Sequence, residues 1–278
     1  RVMKNLKNIG FMQGRLSPAP KGKIQFFPAK HWEGEFFLAN RMGLKNIEWT
    51  LDYKNLYKNP IFTKMGVKKI KSLSKKYSIN LTTLTGDCFM QKPFWKLKNS
   101  RKHLKDFKNV VKACKNLKIK FIIYPLVDNS SVKSIKEEKK LIYEFSKLRN
   151  FLKTNKVTIL FESDFSPIKL KEFIKKFDKK IFGINYDSGN SASLNYNCDD
   201  EFKAYGKYIK NIHIKDRVKY GKTIKLGMGN ANFKKLFNNI IKINYDKLLI
   251  LQTARTKKRN DDYNELKRNL NYISKYLS

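Results

Sequence analysis

The sequence predicts an α/β protein with a single domain, a closed barrel of eight parallel strands with helices outside it, the (β/α)8 or TIM barrel. Eight short segments rich in Ile, Val, Leu and Phe recur along the 278 residues, and each ends in polar or small residues. Segments with the 3.6-residue period of amphipathic helices separate them. This alternation is typical of parallel sheets buried on both faces. A doubly wound open sheet would alternate similarly, but the count of eight and the lack of Gly-x-Gly-x-x-Gly after a strand favour the barrel.

The predicted strands cover residues 8–15, 43–52, 79–87, 119–128, 157–164, 181–190, 209–217 and 247–255. The predicted helices cover residues 35–43, 61–78, 101–118, 133–155, 166–179, 199–208, 232–244 and 261–277. Ser166 and Pro167 are a typical N-cap and first-turn pair for one of these helices. We expect one domain over residues 1–278, with the segment 17–34, which holds three of the seven prolines, as a long loop over the barrel mouth.

The charge of the chain is strongly basic, with 61 Lys and Arg against 23 Asp and Glu and a net charge of +38. Such a charge is compatible with a nucleic-acid partner. However, 52 of the 61 basic residues are Lys, and they are spread over the predicted helices rather than clustered. Specific phosphate and base contacts favour Arg. We therefore interpret the charge as a solvated basic surface caused by compositional bias and expect no nucleic-acid partner.

The cysteines and the hydropathy pattern indicate the compartment. Three Cys residues, at 88, 114 and 198, are far apart, and no Cys-x-x-Cys occurs. This is typical of a reduced, intracellular protein without a disulfide framework or a zinc knuckle. No run of 18 apolar residues exists and the N-terminal residues contain no signal-length apolar run. We expect a cytoplasmic protein that does not enter a membrane.

Polar residues at the predicted strand ends are the candidate functional residues, because active sites of such barrels lie at the C-terminal ends of the strands. Those residues are Gln13, Arg15, Glu48, Asp87, Asp128, Glu162, Asp164, Asp187, Asn190, His213, Lys215, Asp216, Arg217, Gln252 and Arg255. Because all eight strands end on the same side of a barrel, these side chains are expected to converge.

Four of these residues come from four successive strands and predict a metal site. Glu162, Asp187, His213 and Gln252 would offer three oxygens and one nitrogen to one divalent cation. Alternatives remain open at this point. The two carboxylates could pair with Lys215 or an Arg, His213 could be a structural hydrogen-bonding group, and the segment 187–190 could be a plain turn.

Several motifs in this order resemble a known family. They are GFMQGRLSP, IQFFP, HWEGEF, NIEWT, FES, INYDSGN, NIHIKDR and KLGMGNANF, and the segment from Tyr186 to Phe233 is the most specific. Together they resemble the xylose isomerase-like barrels, in particular the sugar phosphate isomerase/epimerase group, related to the AP endonuclease fold. The resemblance covers nearly the whole chain.

The resemblance implies a metal-dependent isomerase or epimerase acting on a sugar or sugar phosphate. Members commonly bind one divalent metal through Glu, Asp, His and Glu from strands five to eight, and these positions match Glu162, Asp187, His213 and Gln252. In epimerases of this family the two Glu residues also act as acid and base on opposite faces of the substrate, through a metal-bound enediolate. The metal would be Mn²⁺, Mg²⁺, Co²⁺ or Zn²⁺.

Gln252 is the departure from the family pattern. An amide keeps a carbonyl oxygen for a metal but has no proton to exchange near neutral pH. Epimerisation needs two acid–base groups on opposite faces, whereas aldose–ketose isomerisation can move one proton along one face. We therefore favour Glu162 as the base of an isomerase, or an epimerase that recruits Asp216, Lys215 or Glu48. A barrel that has lost its activity stays an alternative.

The substrate-binding candidates are Gln13, Arg15, Glu48, Asp87, Asn190, Arg217 and Arg255. The three Arg residues, and the Gly-Met-Gly turn at 227–229, would suit a phosphate or carboxylate on the substrate. Alternatively, the Arg residues pair with carboxylates at the barrel mouth. We expect a small carbohydrate as the partner, and leave homo-oligomerisation open.

Three other functions remain as alternatives. A dehydratase or hydrolase acting on inosose or hydroxy-keto acids would use the same metal. A non-catalytic sugar-binding barrel would keep the ligand without turnover. An abasic-site endonuclease is the least favoured, because its trinuclear zinc site needs several His residues and this chain has three in all.

Overall fold

The computed structural model describes residues 6–20, 22–98, 100–256 and 261–277, and it is the predicted barrel. All eight predicted strands are present: β1 Ile9–Met12, β2 Asn46–Thr50, β3 Asn80–Thr85, β4 Phe121–Leu126, β5 Thr158–Ser163, β6 Phe182–Asp187, β7 Ile209–Ile214 and β8 Leu249–Leu251. Each strand pairs in parallel with its neighbours, and β8 closes the barrel by pairing with both β7 and β1. A short antiparallel hairpin, Asp216–Arg217 with Thr223–Ile224, follows β7.

The helices surround the barrel, and all but two of the described helices overlap the predicted segments. They are α1 Trp32–Arg41, α2 Lys64–Tyr77, α3 Asp87–Gln91, α4 Ser100–Leu117, α5 Ile135–Lys147, α6 Arg149–Asn155, α7 Pro167–Ile174, α8 Ser188–Ser193, α9 Cys198–Tyr205, α10 Phe233–Lys242 and α11 Asp262–Ser274. The predicted helix 133–155 is two helices that meet at Leu148. Ser166 caps α7 as predicted, with its hydroxyl accepting a hydrogen bond from the backbone N–H of Lys169 at 3.4 Å.

Two short helices, α3 and α8, were not predicted. Each comes directly after a strand, so the predicted strands 79–87 and 181–190 extend too far. In α8 the cause is local, because the carboxylate of Asp187 accepts hydrogen bonds from the backbone N–H groups of Gly189 and Asn190. Such an N-cap satisfies the free donors of a helix start. The segment 187–190 therefore begins a helix and is not a plain turn.

An aromatic layer between the barrel and the outer helices fixes which side chains point inward. Phe161 of β5 packs against Phe173 and Phe177, and Phe182 of β6 stacks on Phe161 with ring centroids 5.9 Å apart. These rings point outward, so alternation along β5 turns Glu162 toward the barrel axis. Burying such a ring stabilises the fold by about 1.5–3 kcal/mol, which holds the strand ends in register.

None of the helices in the described part of the chain combines the length and the apolar character needed to cross a bilayer. The predicted cytoplasmic location and the predicted absence of a nucleic-acid partner stay predictions.

Candidate metal centre and substrate cleft

Three of the four predicted metal ligands meet at the C-terminal end of the barrel. Glu162, Asp187 and His213 are buried, and each offers a ligand atom within 4.8 Å of those of the other two. Strands β5, β6 and β7 are adjacent, and the residue that ends or nearly ends each strand points inward. Two carboxylates and an imidazole at this distance form a donor set that suits a divalent cation.

Glu162 has a partner on each carboxylate oxygen. Asn185 donates to Oε2 at 2.6 Å and Asn190 donates to Oε1 at 3.0 Å. The Nδ1 atom of His213 lies 3.1 Å from Oε2. Burial opposes ionisation, but the hydrogen bond and charge of His213, together with the charge of Lys215, hold the pKa of Glu162 below its ordinary value. The carboxylate is therefore ionised at neutral pH.

His213 lies between two carboxylates and is completely buried. Its Nε2 atom is 2.7 Å from Oε1 of Glu48, whose other oxygen accepts a hydrogen bond from Asn211 at 3.1 Å. Burial alone would lower the pKa of His213, but the charge of Glu48 and hydrogen bonds to Glu162 and Glu48 raise it to about 10. Glu48 thus orients the ring so that Nδ1 faces the centre, as carboxylates behind metal-binding histidines do.

Asp187 uses one oxygen to cap α8 and the other to hold Lys215. The Nζ atom of Lys215 is 2.6 Å from Oδ2 of Asp187, so the ion pair that the sequence left open is present. Gly189 makes room for it, because a Cβ at this position would lie 2.7 Å from Cγ of Lys215. An ammonium group therefore neutralises a carboxylate that a divalent cation would otherwise bind.

Gln252 directly follows β8 and is 8% exposed. Its Nε2 donates to Oε1 of Gln25 at 2.8 Å, whereas its own Oε1 is buried without a hydrogen-bond partner. A buried polar atom without a partner is costly unless another group, such as a cation, satisfies it. The free carbonyl oxygen belongs to a residue that lines the same cleft as Glu162, and it is a donor that suits a divalent metal.

A cleft of about 470 Å³ opens at this end of the barrel, and Glu162, Lys215 and Gln252 line it. Volumes of this order hold small-molecule ligands. Five carboxyl side chains line the cleft, against two basic ones: Asp52, Asp87, Asp128, Glu162 and Asp164, with Lys215 and Arg217. The described lining is therefore acidic, although the whole chain carries a charge of +38.

Asn190, Arg217 and Asp87 also line the cleft, as predicted substrate-binding residues would. Asn190 connects two of the charged groups, because its Nδ2 donates to Glu162 and its Oδ1 accepts from Arg217 at 2.9 Å. The guanidinium of Arg217 also donates twice to the carbonyl oxygen of Gly221. Burial raises the pKa of Asp87 to about 7, while Gln25 donates a hydrogen bond to it.

Asp216 lies apart from the lining of the cleft. Its carboxylate accepts hydrogen bonds from the backbone N–H groups of Gly227 and Gly229, both at 2.9 Å, and of Ala231 at 3.0 Å. The glycine turn that we expected to face a substrate anion therefore surrounds a carboxylate of the protein itself. This arrangement assigns Asp216 to the loop before α10 rather than to acid–base chemistry.

Gln13 and Arg15 are buried and Arg255 is half-buried, and none of the three lines the cleft. Gln13 accepts a hydrogen bond from the backbone N–H of Thr50 at 3.1 Å, and Arg15 donates to the carbonyl oxygen of Thr253 at 2.9 Å. Burial and the charge of Arg255 lower the pKa of Arg15 to about 9. Arg255 donates to the carbonyl oxygens of Gly14 and Ser17 and pairs with Asp262.

The sequence model of the family described as "Xylose isomerase-like TIM barrel" matches residues 36–274. The chain belongs to this family. The resemblance inferred from the strand-end motifs is thereby confirmed. A search of curated proteins finds no match for this chain.

Solved structures of similar fold include several xylose isomerase-like barrels. D-psicose 3-epimerase with D-tagatose from Clostridium cellulolyticum H10 is 13% identical at a TM-score of 0.74, with 98% of this chain and 99% of that chain covered. The 3-keto-D-glucoside 4-epimerase YcjR from E. coli is 16% identical at 0.71, with 97% and 99% covered. The IOLI protein with a bound zinc atom is 16% identical at 0.74, also with 97% and 99% covered. At these identities the likeness shows the shared fold.

Three residues that contact the predicted site residues were not predicted from the sequence. Asn185 and Asn211 point inward two residues before Asp187 and His213, so strict alternation along β6 and β7 would have found them. Gln25 lies in the loop between β1 and α1, where no periodicity applies. The only sequence signal for Gln25 was its place in the IQFFP motif.

Proposed function

We propose that this protein is a divalent-metal-dependent isomerase or epimerase of a small, unphosphorylated sugar. The observation that supports it most is the group Glu162, Asp187 and His213, whose ligand atoms lie within 4.8 Å of one another. Glu162 lines a polar cleft together with Gln252, whose carbonyl oxygen is free. Relatives of similar fold include two sugar epimerases and a protein with a zinc atom. They support a family-level function, not a particular sugar.

The residues that would hold the cation are Glu162, Asp187, His213 through Nδ1, and Gln252 through Oε1. Because the pKa of His213 is raised to about 10, a cation would have to displace the proton from Nδ1 before that atom could become a ligand. A bound divalent ion polarises a substrate carbonyl and stabilises the negative charge that develops on its oxygen. Mixed oxygen and nitrogen donors without thiolate suit Mn²⁺, Mg²⁺, Co²⁺ or Zn²⁺. The ammonium group of Lys215 would have to leave Oδ2 of Asp187 for that oxygen to become a ligand.

Glu162 is the proposed base, because it is ionised and lines the cleft. It would remove the proton from the hydroxyl-bearing carbon next to the substrate carbonyl, and that proton can exchange with water while Glu162 holds it. Glu162 would then deliver a proton to the former carbonyl carbon on the same face, while the hydroxyl proton passes to the former carbonyl oxygen. This transfer interconverts an aldose and a ketose with one acid–base group. Asn185 and Asn190 hold the two oxygens in place.

An epimerase would need a second proton donor, which Gln252 cannot be. Lys215 is the proposed donor in that case, since its ammonium group lines the same cleft. We exclude Asp216 from this role, because three backbone N–H groups occupy its carboxylate. Glu48 is engaged behind His213 instead.

The charge of the cleft favours a neutral sugar over a sugar phosphate. Five carboxyl groups would repel a phosphate, while carboxylates are good acceptors for sugar hydroxyl groups. Arg217, the guanidinium that lines the cleft, already donates to Gly221 and Asn190. Gln25, which belongs to the predicted loop 17–34, lines this cleft, and this supports the proposed place of that loop over the barrel mouth.

The test combines metal analysis with proton exchange. We expect about one divalent ion per chain in the native protein after supplementation with Mn²⁺ or Zn²⁺. The ion should be lost in Asp187→Ala and kept in Asp246→Ala, an exposed aspartate at the other end of β8. Neutral aldoses and ketoses should then incorporate deuterium from heavy water in the presence of the enzyme.

Two results would contradict the proposal. Native protein that retains no divalent ion after supplementation would rule out the metalloenzyme. Exchange into phosphorylated sugars alone would rule out the neutral substrate and leave the metal site standing.

A further inference from the structure

Three side chains form a hydrogen-bond chain along the cleft, from the start of α3 to the end of β8. Nε2 of Gln25 donates to Oδ2 of Asp87, and Oε1 of Gln25 accepts from Nε2 of Gln252 at 2.8 Å. The chain ends at Oε1 of Gln252, which is buried and has no hydrogen-bond partner. We call these three side chains the amide relay.

The direction of the amide relay is set at Asp87. Gln25 turns its NH2 group toward Asp87. It must do so whenever Asp87 is ionised, because an ionised carboxylate only accepts hydrogen bonds. The carbonyl oxygen of Gln25 then faces Gln252, so Gln252 donates a hydrogen bond to it from its own NH2 group. The carbonyl oxygen of Gln252 is the atom left over.

The orientation matters because the two ends of a glutamine amide differ as ligands. A carbonyl oxygen binds a divalent cation, whereas the NH2 group is a donor and has no such capacity. A glutamate at position 252 would not need a neighbour to fix its orientation, because its two carboxylate oxygens are equivalent. A glutamine in a metal centre therefore needs a neighbour that specifies which end it presents.

We propose that Asp87 and Gln25 are positioning residues that fix the Gln252 amide with its carbonyl oxygen available to the metal centre. This inference rests on the metal site of the proposed function. It adds a role for Asp87 and Gln25, the orientation of an amide, that is needed only because residue 252 is a glutamine. Gln25 contacts neither Glu162 nor Asp187 nor His213 through a hydrogen bond among the described residues, so it acts through Gln252.

The experiment is a double-mutant cycle on Mn²⁺ affinity, measured by calorimetry at pH 8. At this pH Asp87, whose pKa burial raises to about 7, is mainly ionised. The four proteins are wild type, Gln25→Leu, Gln252→Glu and the double variant. In the protein that keeps Gln252, we expect Gln25→Leu to weaken Mn²⁺ binding about tenfold, as loss of an outer-shell partner does. In the Gln252→Glu background the same change should weaken binding less than about twofold.

Gln91→Leu is the matched control, because Gln91 lines the same cleft but accepts a hydrogen bond from the backbone of Tyr53. It should leave Mn²⁺ affinity unchanged. Asp87→Asn tests the origin of the direction, because an amide there can present either end to Gln25. We expect Asp87→Asn to weaken Mn²⁺ binding in the protein that keeps Gln252 and not in the Gln252→Glu background. Equal losses in both backgrounds would show a merely structural role and overturn the proposal.

A metal-free measurement separates this inference from the proposed function. The side-chain ¹⁵N–¹H signals of Gln252 are assigned by their disappearance in Gln252→Glu. In Gln25→Leu these NH2 protons should exchange faster with water, because their acceptor is gone. Unchanged exchange would overturn the amide relay whether or not the protein binds Mn²⁺. Suppose that wild type does not bind Mn²⁺ but that exchange is faster in Gln25→Leu. This result would overturn the metal site and the role of Gln252 as a ligand, while the hydrogen bonds of the amide relay would stand.

Discussion

Under the proposed function, Gln252 would decide which chemistry the metal centre performs. Gln252→Glu would add a negative charge and a titratable group beside Glu162 and Asp187. We expect Mn²⁺ to bind about tenfold more tightly or better, since even 1.4 kcal/mol of added attraction gives that factor. We also expect deuterium incorporation that inverts a sugar carbon, because a second acid–base group is then present. Calorimetry and analysis of the product sugars measure the two effects.

Gln91→Glu is the control for that substitution, because it adds the same charge to the cleft lining away from the centre. It should change Mn²⁺ affinity less than about twofold, since Gln91 is exposed to solvent that screens its charge. Equal gains in the two variants would show that only the net charge of the cleft matters.

In the proposed metal centre, Lys215 would compete with the cation for Asp187. Lys215→Met removes the ammonium group 2.6 Å from Oδ2, and we expect Mn²⁺ to bind about tenfold more tightly, since a charge-assisted contact no longer has to break. Without metal the same variant should melt at a lower temperature, because a buried carboxylate loses its partner. Saturating Mn²⁺ should restore the melting temperature.

Lys215→Arg keeps the positive charge and is the comparison for this prediction. It should bind Mn²⁺ no more tightly than wild type. If Lys215→Met were less stable than wild type by the same amount with and without Mn²⁺, competition between Lys215 and the metal would be disproved.

The helix α8 is the element that brings Asp187 and Lys215 together, and its glycine is the sensitive point. A Cβ on Gly189 would lie 2.7 Å from Cγ and 3.0 Å from Cβ of Lys215. These atoms are close to the backbone of β7 and cannot move freely. We expect Gly189→Ala to lower the free energy of unfolding by about 1–3 kcal/mol, as overpacking does. Urea denaturation measures it.

Gly34→Ala in α1 is a matched substitution of a helical glycine. No atom lies within 4 Å of the added Cβ, so we expect α1 to gain about 0.5–1 kcal/mol from the better helix former. Opposite signs in the two variants would confirm the crowding at Gly189. Stabilisation in both would show that Lys215 adapts without cost.

At the level of elements, periodicity predicted the strands but not the short helices directly after two of them. The run 181–190 was predicted as one strand because its residues suit a strand followed by a turn. The N-cap bonds from Asp187 to Gly189 and Asn190 convert its last residues into α8. This cap depends on a carboxylate at a strand end, which the sequence predicted as a metal ligand, an ion-pair partner or part of a plain turn, and not as an N-cap. In the structure Asp187 caps α8 with one oxygen and leaves the other for Lys215 or a cation.

For the whole molecule, the sequence predicted the fold and the convergence of the strand ends, because both result from alternation and parallel pairing. It predicted that Asp87, Asp128, Glu162 and Asp164 converge, but the composition, with 61 basic against 23 acidic residues, did not indicate a cleft that is acidic overall. Only closure of the barrel brings Asp52, Asp87 and Asp164 to one cavity. Nor could it predict Gln25, whose contact with Gln252 spans more than two hundred residues of chain.

The pH dependence of global stability depends on buried carboxyl groups such as Glu35. Glu35 joins α1 to the loop after β1, accepting hydrogen bonds from the backbone of Gly14 and Leu16 and from Ser17. Burial raises its pKa from 4.5 to about 7, although these bonds lower it. The folded state thus favours the protonated form. Ionisation therefore costs stability as pH rises from 4.5 to 7, by up to about 3 kcal/mol.

Glu35→Gln removes this ionisation while keeping an acceptor oxygen. We expect the free energy of unfolding of Glu35→Gln, relative to wild type, to rise steadily between pH 4.5 and 7 and to stay level above pH 7. Urea denaturation near 1 M KCl measures it, because the Debye length of about 3 Å there suppresses repulsion among the surface lysines. Glu172→Gln, at an exposed surface glutamate, should show no such rise. A flat difference for Glu35→Gln across this range would mean that Glu35 stays ionised in the fold, held by its three donors.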